Sequence, residues 1–264
     1  MANDGNVMLV RKVAQALDHL AAQGEATAAE LAEALGEPRS SVYRLLSSLQ
    51  AEGLVEHGSR RGQFRLGFKL LTLGTAVVAR FDEREFAQPV LERLHDLTGE
   101  TVFLCVRRGD AAVCIERLAG KRVQSLALKL GGSLPLHAGA ASRALLAFAP
   151  ETEWEGYLDR NVPLSRFTAS TPSEPGALRK ALRQARDDGY ALSDQDVTVG
   201  VAAIGVPVVD YRGEVRAAVS ISGVRESILG EDFARWRDLL LEAGQEVSRA
   251  LGSELAGKNV ARFD

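Results

Sequence analysis

The segment Thr27-Ala-Ala-Glu-Leu-Ala-Glu-Ala-Leu-Gly-Glu-Pro-Arg-Ser-Ser-Val-Tyr-Arg-Leu-Leu-Ser-Ser-Leu49 predicts two helices joined by a tight turn. Thr27 and Glu30 have the spacing of a capping box, in which each side chain accepts a hydrogen bond from a backbone N–H at the helix start. Gly36 predicts the end of that helix. Pro38 suits the first turn of the next helix, because its missing N–H would have no partner there. This length and order are typical of a helix-turn-helix motif.

The apolar residues of the two helices predict which faces are buried. On the first helix, the inward residues would be Leu31, Ala34 and Leu35. On the second helix, they would be Val42, Leu45, Leu46 and Leu49. The residues left facing outward on the second helix are of types that contact DNA, namely Arg39, Ser40, Ser41, Tyr43, Arg44, Ser47 and Ser48. Because such motifs contact bases with the N-terminal part of this helix, Arg39 to Arg44 are the expected base contacts.

A basic hairpin is predicted directly after the two helices. Leu54–His57 and Gln63–Leu66 have the composition of short strands, and glycines lie at both ends of the turn between them. Arg60 and Arg61 lie in this turn, where they would contact DNA phosphates as the wing of a winged helix does. Thr27, at the start of the motif, is a further candidate DNA contact.

The charge distribution favours the same interpretation. The whole chain of 264 residues has a formal net charge of −3, but residues 38–69 hold six bases and two acids, a local net charge of +4. A local basic patch can face DNA while the rest of the protein stays acidic. The alternatives are a solvated charge cluster, or a polar three-helix bundle that contacts another protein. The order of cap, turn, serine-rich face and basic hairpin favours DNA.

The remaining composition excludes several classes of protein. No apolar run is long enough for a membrane span and no signal peptide is visible, so we expect a cytoplasmic protein with no membrane partner. Nucleophile-elbow, Walker and dinucleotide-binding motifs are absent, and only a speculative Ser142, His137 and Asp194 set suggests an enzyme. The four histidines lack metal-ligand spacing. We therefore expect no catalytic site, metal or cofactor, and we expect His137 to cap or pack the helix that follows it.

The rest of the chain predicts a linker helix and a second domain of the α+β class. The expected boundaries are 1–66 for the winged helix-turn-helix, 67–82 for the linker helix, 83–252 for the second domain and 253–264 for a tail. Strands are expected at Thr101–Arg107, Ala111–Arg117, Val123–Leu130, Val201–Val209 and Glu214–Ser222. Helices are expected at Phe86–Leu97, Gly139–Phe148, Ala177–Asp188 and Phe233–Leu251. This order suits an antiparallel sheet with packed helices.

The only two cysteines have related positions. A two-residue turn at Gly109-Asp110 would put Cys105 and Cys114 opposite each other on adjacent strands, with their side chains on one face. Two interpretations remain open. The pair could sense oxidants by forming a strained disulfide, or the two residues could be small buried apolar side chains.

Several segments resemble the IclR family of transcription regulators. They are Leu31–Leu49, Glu52–Val55, the hairpin, Leu66–Leu71, Pro135–Ala147, Gly200–Asp210 and Ser220–Gly223, which together follow the family's order along nearly the whole chain. The resemblance implies a repressor or activator with a linker helix and a GAF-like effector-binding domain. It also implies a homodimer or homotetramer, a palindromic double-stranded operator, and a small organic effector such as a carboxylate or an aromatic metabolite.

The resemblance also implies where that effector binds. The contacts carried over from the family are Gly139, Ala140, Ala203, Ser220 and Ser222, with Phe103, Cys105 and Glu116 as further lining residues. This chain has Gly139 where the family usually has Thr, Ser142-Arg143 where it usually has Gly-Lys, and Ser193 where some relatives place an acid. The alternative function is a ligand-sensing or redox-sensing protein, acting through Cys105 and Cys114, without operator-specific DNA binding.

Overall fold

The computed structural model describes residues 2–78, 82–121 and 127–253. The chain divides into two compact units, residues 1–80 and 81–264. Within the described ranges, no helix combines the length and the apolar character that crossing a bilayer requires. The boundaries expected for the linker helix and the tail stay predictions, and the tail beyond Ser253 lies outside the described residues.

The first unit is a helix-turn-helix followed by a hairpin. Its elements are α1 (Ala2–Gln23), β1 (Glu25–Thr27), α2 (Ala28–Leu35), α3 (Arg39–Ala51), β2 (Val55–His57), β3 (Gln63–Leu66) and α4 (Lys69–Val78). The three strands form an antiparallel sheet in the order β1-β3-β2. β1 was not predicted, because three residues that pair with a strand nearly forty positions later give no local signal.

The core of the first unit corrects the predicted face of α2. Ala34 is exposed, while Ala28, Leu31 and Ala32 are buried. The predicted inward residues of α3 are confirmed, since Val42, Leu46 and Leu49 are 5% exposed or less and Leu45 is partly buried against the same core. Ala34 is exposed because a short helix buries only a narrow stripe, and residues on its flank stay in contact with solvent.

The second unit consists of one sheet between two helix layers. Its elements are α5 (Asp82–Thr98), β4 (Thr101–Arg108), β5 (Ala111–Leu118), β6 (Ser133–Pro135), α6 (Ala140–Ala147), α7 (Glu151–Asn161), α8 (Pro175–Asp188), β7 (Ala191–Asp194), β8 (Val201–Val209), β9 (Val215–Val224), α9 (Arg225–Ile228) and α10 (Phe233–Ala250). The strand order is β6-β5-β4-β9-β8-β7, and all the pairs are antiparallel. The predicted α+β class is confirmed.

Alternation along the strands separates the two faces of this sheet. On β4, Phe103 and Cys105 belong to the core cluster that includes α6, α7 and α8. Val102 and Leu104 belong to the cluster that includes α5 and α10. Because successive side chains of a strand point to opposite faces, one strand can contribute to both cores. The cavity described below lies on the α6 face.

The predicted strand at Val123–Leu130 is wrong where the structure describes it. Residues 122–126 lie outside the described residues, and residues 127–130 form no strand. The strand that pairs with β5 is instead β6, whose Pro135 lies opposite Ala111. Gly131 and Gly132 bond to the backbone of Cys114 just before β6 begins, so the glycine pair positions this short edge strand.

Candidate functional site

Helix α2, the first helix of the helix-turn-helix, is capped at both of its ends. The Thr27 hydroxyl accepts a hydrogen bond from the Glu30 N–H (3.3 Å), and the Thr27 N–H donates to Glu30 Oε2 (2.7 Å), so the predicted capping box is present. Gly36 ends α2 with φ near 65°, a left-handed conformation that suits glycine. The Thr27 hydroxyl also donates to Glu30 Oε2 (2.8 Å). Its hydrogen bonds therefore serve the cap, and its role as a DNA contact stays a prediction.

The outward face of α3 carries the predicted polar set. Arg39, Ser40, Tyr43, Arg44 and Ser47 are exposed, and Ser41 is half-buried. The Ser48 hydroxyl donates to the backbone carbonyl of Arg44 (3.0 Å). A helix with a buried leucine ridge and this opposite face can enter a DNA groove without losing its own core contacts.

The hairpin between β2 and β3 presents the two predicted arginines. Arg60 and Arg61 are exposed in its turn. At its base, the Ser59 N–H and hydroxyl donate to the two Glu25 carboxylate oxygens at 2.9 and 2.7 Å, which lowers the pKa of Glu25. Because Glu25 belongs to β1, this contact ties the hairpin to the strand on the far side of the small sheet.

A cavity that is partly open to solvent lies between the sheet of the second unit and α6. Its wall is formed by Phe103, Ala127, Leu128, Leu134, Gly139, Ala140, Ala141, Ser142, Ser193, Val197, Thr198, Val201, Ala203, Ser220 and Ser222. The structure thus brings all five predicted effector contacts together around one space, and their role in binding stays a prediction. Cys105 and Glu116 do not belong to this wall: Cys105 is buried in the core, and Glu116 pairs with Arg84 (2.7 Å).

Strand register explains how distant residues meet at this cavity. Ser220 of β9 lies between Phe103 of β4 and Gly205 of β8. Gly205 also sets the approach of α6, because a Cβ added there would lie 2.6 Å from the carbonyl carbon of Ala140. The missing side chain therefore lets the N-terminus of α6 reach the cavity.

The cavity offers hydrogen-bond donors to a ligand. The first three N–H groups of α6, those of Ala140, Ala141 and Ser142, have no acceptor within the described part of the chain. The hydroxyls of Ser142 and Ser220 likewise have no partner among the described residues, although both side chains are at least 97% buried. Ser222 differs, since its hydroxyl donates to the Ala202 carbonyl (3.2 Å).

Asp196 anchors the start of α6 from the loop after β7. Its carboxylate pairs with Arg143 and accepts hydrogen bonds from the Ser193 hydroxyl and the Gly139 N–H (3.3 Å for the latter). The side chains of Asp196 and Arg143 are only 3% and 5% exposed. Charges this deeply buried are stable only when they are paired, so this contact holds loop and helix together.

The side chain of His137 does not cap α6 but contacts α7 and the segment after it. Its Nε2 lies 2.8 Å from the Ser165 carbonyl, which can only accept, so Nε2 carries the proton. Nδ1 then accepts from the Tyr157 hydroxyl (2.7 Å). Burial lowers the pKa of His137 and raises the pKa of Tyr157 to about 12.

No catalytic or metal-binding arrangement emerges from the described residues. The speculative hydrolase set does not form, because His137 bonds to Tyr157 and Ser165, and Asp194 pairs with Arg225 (2.7 Å). No group of three or more His, Cys, Asp and Glu side chains is placed to hold a metal ion within the ranges that the structure covers.

A winged helix-turn-helix unit and a separate unit with a donor-rich cavity together define the class of ligand-responsive transcription regulators. Family models agree with both units. Residues 9–59 match the IclR helix-turn-helix domain, and residues 75–249 match the bacterial transcriptional regulator IclR C-terminal domain. The chain belongs to the IclR family, as its sequence predicted, and it is an IclR-type transcription regulator.

Individual relatives agree along most of their length. The chain is 33% identical to the HTH-type transcriptional regulator XynR of Escherichia coli, over 93% of this chain and 98% of the relative. Its structure resembles the Thermotoga maritima IclR with a TM-score of 0.78 and 32% identity, covering 92% of this chain and 98% of that one. An IclR homologue from Microbacterium hydrocarbonoxydans, crystallised with 4-hydroxybenzoate, gives a TM-score of 0.78 and 26% identity, covering 92% and 99%.

Proposed function

We propose that this regulator binds operator DNA through α3 and the β2–β3 hairpin, and that a small organic effector in the α6 cavity changes its affinity for that DNA. The observation that carries the proposal is that α3 has one buried apolar face and one exposed polar face. Val42, Leu46 and Leu49 are buried, while the polar face with Arg39 and Arg44 is open to solvent.

Each part of the first unit has a distinct task in this proposal. The N-terminal half of α3 contacts base edges, since Arg can bond to two acceptors of guanine and Ser or Tyr hydroxyls reach bases or phosphates. Arg60 and Arg61 contact phosphates, which makes binding sensitive to salt. Thr27 lies at the start of α2 and would contact the backbone of the same groove.

The proposed assembly is a homodimer, or a homotetramer built from two dimers. Support comes from α4 and the residue before it, where Phe68, Leu71 and Leu73 are 74%, 62% and 50% exposed. Apolar side chains this exposed on one short segment favour a second copy as partner. Two copies related by a twofold axis would bind a palindromic operator with one half-site each. A DNA partner and reduced cysteines are consistent with the cytoplasm.

The cavity favours a small effector with a carboxylate and an apolar or aromatic body. The three free N–H groups at the start of α6 suit an anion, and the hydroxyls of Ser142 and Ser220 add two further donors. Phe103, Leu128 and Val201 supply the apolar wall. The relative crystallised with 4-hydroxybenzoate supports this class of ligand. A regulator with this architecture needs no catalytic group, so we propose no enzymatic activity.

A gel-shift experiment tests the DNA contact. The full chain is mixed with the intergenic DNA upstream of its own gene and with a scrambled duplex of equal length, at increasing salt. We expect selective, salt-sensitive binding, and we expect Arg44→Ala to weaken it by about 1–3 kcal/mol. Arg183→Ala on α8 is the matched control, because it removes an exposed arginine from the second unit.

Two results would contradict the proposal. Equal affinity for both duplexes would favour the alternative, a ligand-sensing or redox-sensing protein without operator-specific binding. An unchanged affinity of Arg44→Ala would remove α3 from the interface. Ligand binding is tested separately by thermal-shift measurements with 4-hydroxybenzoate as the probe. Ser220→Ala is compared with Ser227→Ala, which alters a serine outside the cavity wall.

A further inference from the structure

Cys105 and Cys114 are positioned to form a disulfide across β4 and β5. They are directly paired in the register of the two strands. The Cys114 N–H donates to the Gly132 carbonyl (2.9 Å), and its carbonyl accepts from the Gly131 N–H (2.8 Å), so both backbone groups point away from β4. Pairs without hydrogen bonds between the two residues have Cα atoms about 4.5 Å apart in a regular antiparallel ladder. Here the pair lies directly beside a register shift between Leu104 and Cys105. Disulfides form at separations of about 4.4–6.8 Å.

The two thiols differ in their surroundings. Both cysteines are free and buried. Their proximity lowers the pKa of Cys114 and raises that of Cys105, and the Cys114 thiol donates a hydrogen bond to the Glu116 carbonyl (3.2 Å). The Arg117 guanidinium lowers the pKa of Cys114 further. Because the thiolate is the reactive form of cysteine, Cys114 is expected to react first.

We propose that Cys105 and Cys114 are a modification site for hydroperoxides, which oxidise the pair to a disulfide and thereby reshape the wall of the α6 cavity. The Cys114 thiolate attacks one peroxide oxygen, the O–O bond breaks, and the departing hydroxide takes up a proton to give water. The Cys105 sulfur then attacks the resulting sulfenic acid, and hydroxide leaves with the Cys105 proton as a second water. Two thiols lose two electrons, and one hydrogen peroxide is reduced to two waters.

The cysteine pair lies close to the cavity. Cys105 is two residues from Phe103 on the same face of β4, and Phe103 is part of the cavity wall. Leu128, a second wall residue, belongs to the same core cluster as both cysteines. A disulfide between directly opposed strands is strained, so it distorts the local strand geometry and is readily reduced. The meaning of this change for regulation rests on the proposed function, whereas disulfide formation does not.

Mass spectrometry of the full chain tests the chemistry without DNA or effector. After treatment with hydrogen peroxide, we expect a loss of about 2 Da that dithiothreitol reverses. Trypsin cuts after Arg107 and Arg108, between the two cysteines, so the disulfide should join peptide 94–107 to peptide 109–117. Cys105→Ala and Cys114→Ala should each abolish the joined peptide. Two alkylatable thiols in treated wild type, or oxidation only to sulfinic acid, would overturn the proposal.

Hydrogen-exchange mass spectrometry tests the link to the cavity. Oxidised wild type should exchange differently from reduced wild type in peptides covering residues 101–106 and 132–142. Cys114→Ala treated with peroxide should match its untreated form. A disulfide that leaves exchange at 132–142 unchanged would show that the pair does not act on the cavity. Because this readout needs neither operator nor ligand, its failure is distinguishable from a failure of the proposed function.

Discussion

The helices α3 and α6 both have a part in the proposed function, yet they are built in opposite ways. The 13 residues of α3 divide into a buried apolar ridge and an exposed polar face. All eight residues of α6 are buried, including Ser142 and Arg143. The side chains of α3 are therefore free to contact a partner outside the protein. In α6 the N-terminal residues line the cavity of the second unit, where an effector is proposed to bind.

The difference predicts whether a substitution in each helix affects binding or the stability of the core. Replacing an outward residue of α3 is expected to change DNA binding and to leave the core intact, because surface substitutions usually alter stability little. Replacing a contact of α6 changes the core itself, because each of its residues packs against the sheet or a neighbouring helix. Four predictions test the contacts that support these two helices and the elements beside them, ordered from the largest expected effect to the smallest.

The largest effect is expected for Asp196→Ala. The substitution leaves the Arg143 guanidinium buried without its partner, which typically costs about 3–5 kcal/mol. Urea unfolding followed by circular dichroism measures the change. Asp194→Asn is the matched control, because its pair with Arg225 is 37–40% exposed and should contribute less than about 1 kcal/mol. Equal losses in the two variants would show that burial of the Arg143 pair does not matter.

Gly205→Ala should have the next largest effect. Its Cβ would lie 2.6 Å from the Ala140 carbonyl carbon, so α6 must move away from β8, at a cost of about 1–3 kcal/mol. The same movement should weaken binding of the 4-hydroxybenzoate probe. Gly176→Ala is the control, since its Cβ meets nothing within 4 Å on helix α8 and should be neutral or stabilising. A fully stable Gly205→Ala would refute the close approach.

Thr27→Ala should destabilise the first unit by roughly 1 kcal/mol, because α2 loses its N-cap. Thermal unfolding checks the effect, and Thr27→Ser should restore most of the stability by returning the hydroxyl. If both variants bind operator DNA as wild type does once the loss of stability is allowed for, Thr27 is a cap alone.

The smallest effect concerns pH. Burial lowers the pKa of His137 in the folded state, so folding favours the neutral imidazole. The resulting stability is fully present above the unfolded pKa of about 6.5 and is lost as the pH falls from there through the lower folded pKa. Unfolding at pH 7.5 and 5.5 should therefore show a smaller loss for His137→Asn, which does not titrate, than for wild type. Equal losses of stability would indicate that groups other than His137 cause the pH dependence in this range.

The DNA-binding unit could be predicted in detail because its signals are local. The capping box, Gly36 and the leucine ridge each act within one or two turns of helix. The register of β4 and β5 next to their turn was predictable for the same reason, but the shift of one residue between Leu104 and Cys105 was not. Helix α7 was missed, although Pro150 followed by Trp154, Tyr157 and Leu158 has helical spacing and could have revealed it.

The cavity could be predicted only in part. Its serines and the start of α6 were found through resemblance, but nothing local indicates that Asp196 pairs with Arg143, 53 positions away in the chain. Likewise, β6 and β7 are short edge strands, and their formation depends on pairing with the neighbouring strand more than on their own composition. Contacts between distant segments are set by the register of the whole sheet, which a local pattern does not encode.

The hydrogen bonds from Ser59 to Glu25 have a consequence for the proposed binding of DNA. Two donors on one carboxylate hold the base of the arginine loop in place before any nucleic acid arrives. In the proposed complex, less conformational freedom would be lost on binding, so a larger share of the attraction between the arginines and the phosphates would appear as net affinity. The substitution Glu25→Gln would weaken the hydrogen bonds from Ser59 and so loosen the base of the hairpin, while it leaves the charges of Arg60 and Arg61 unchanged.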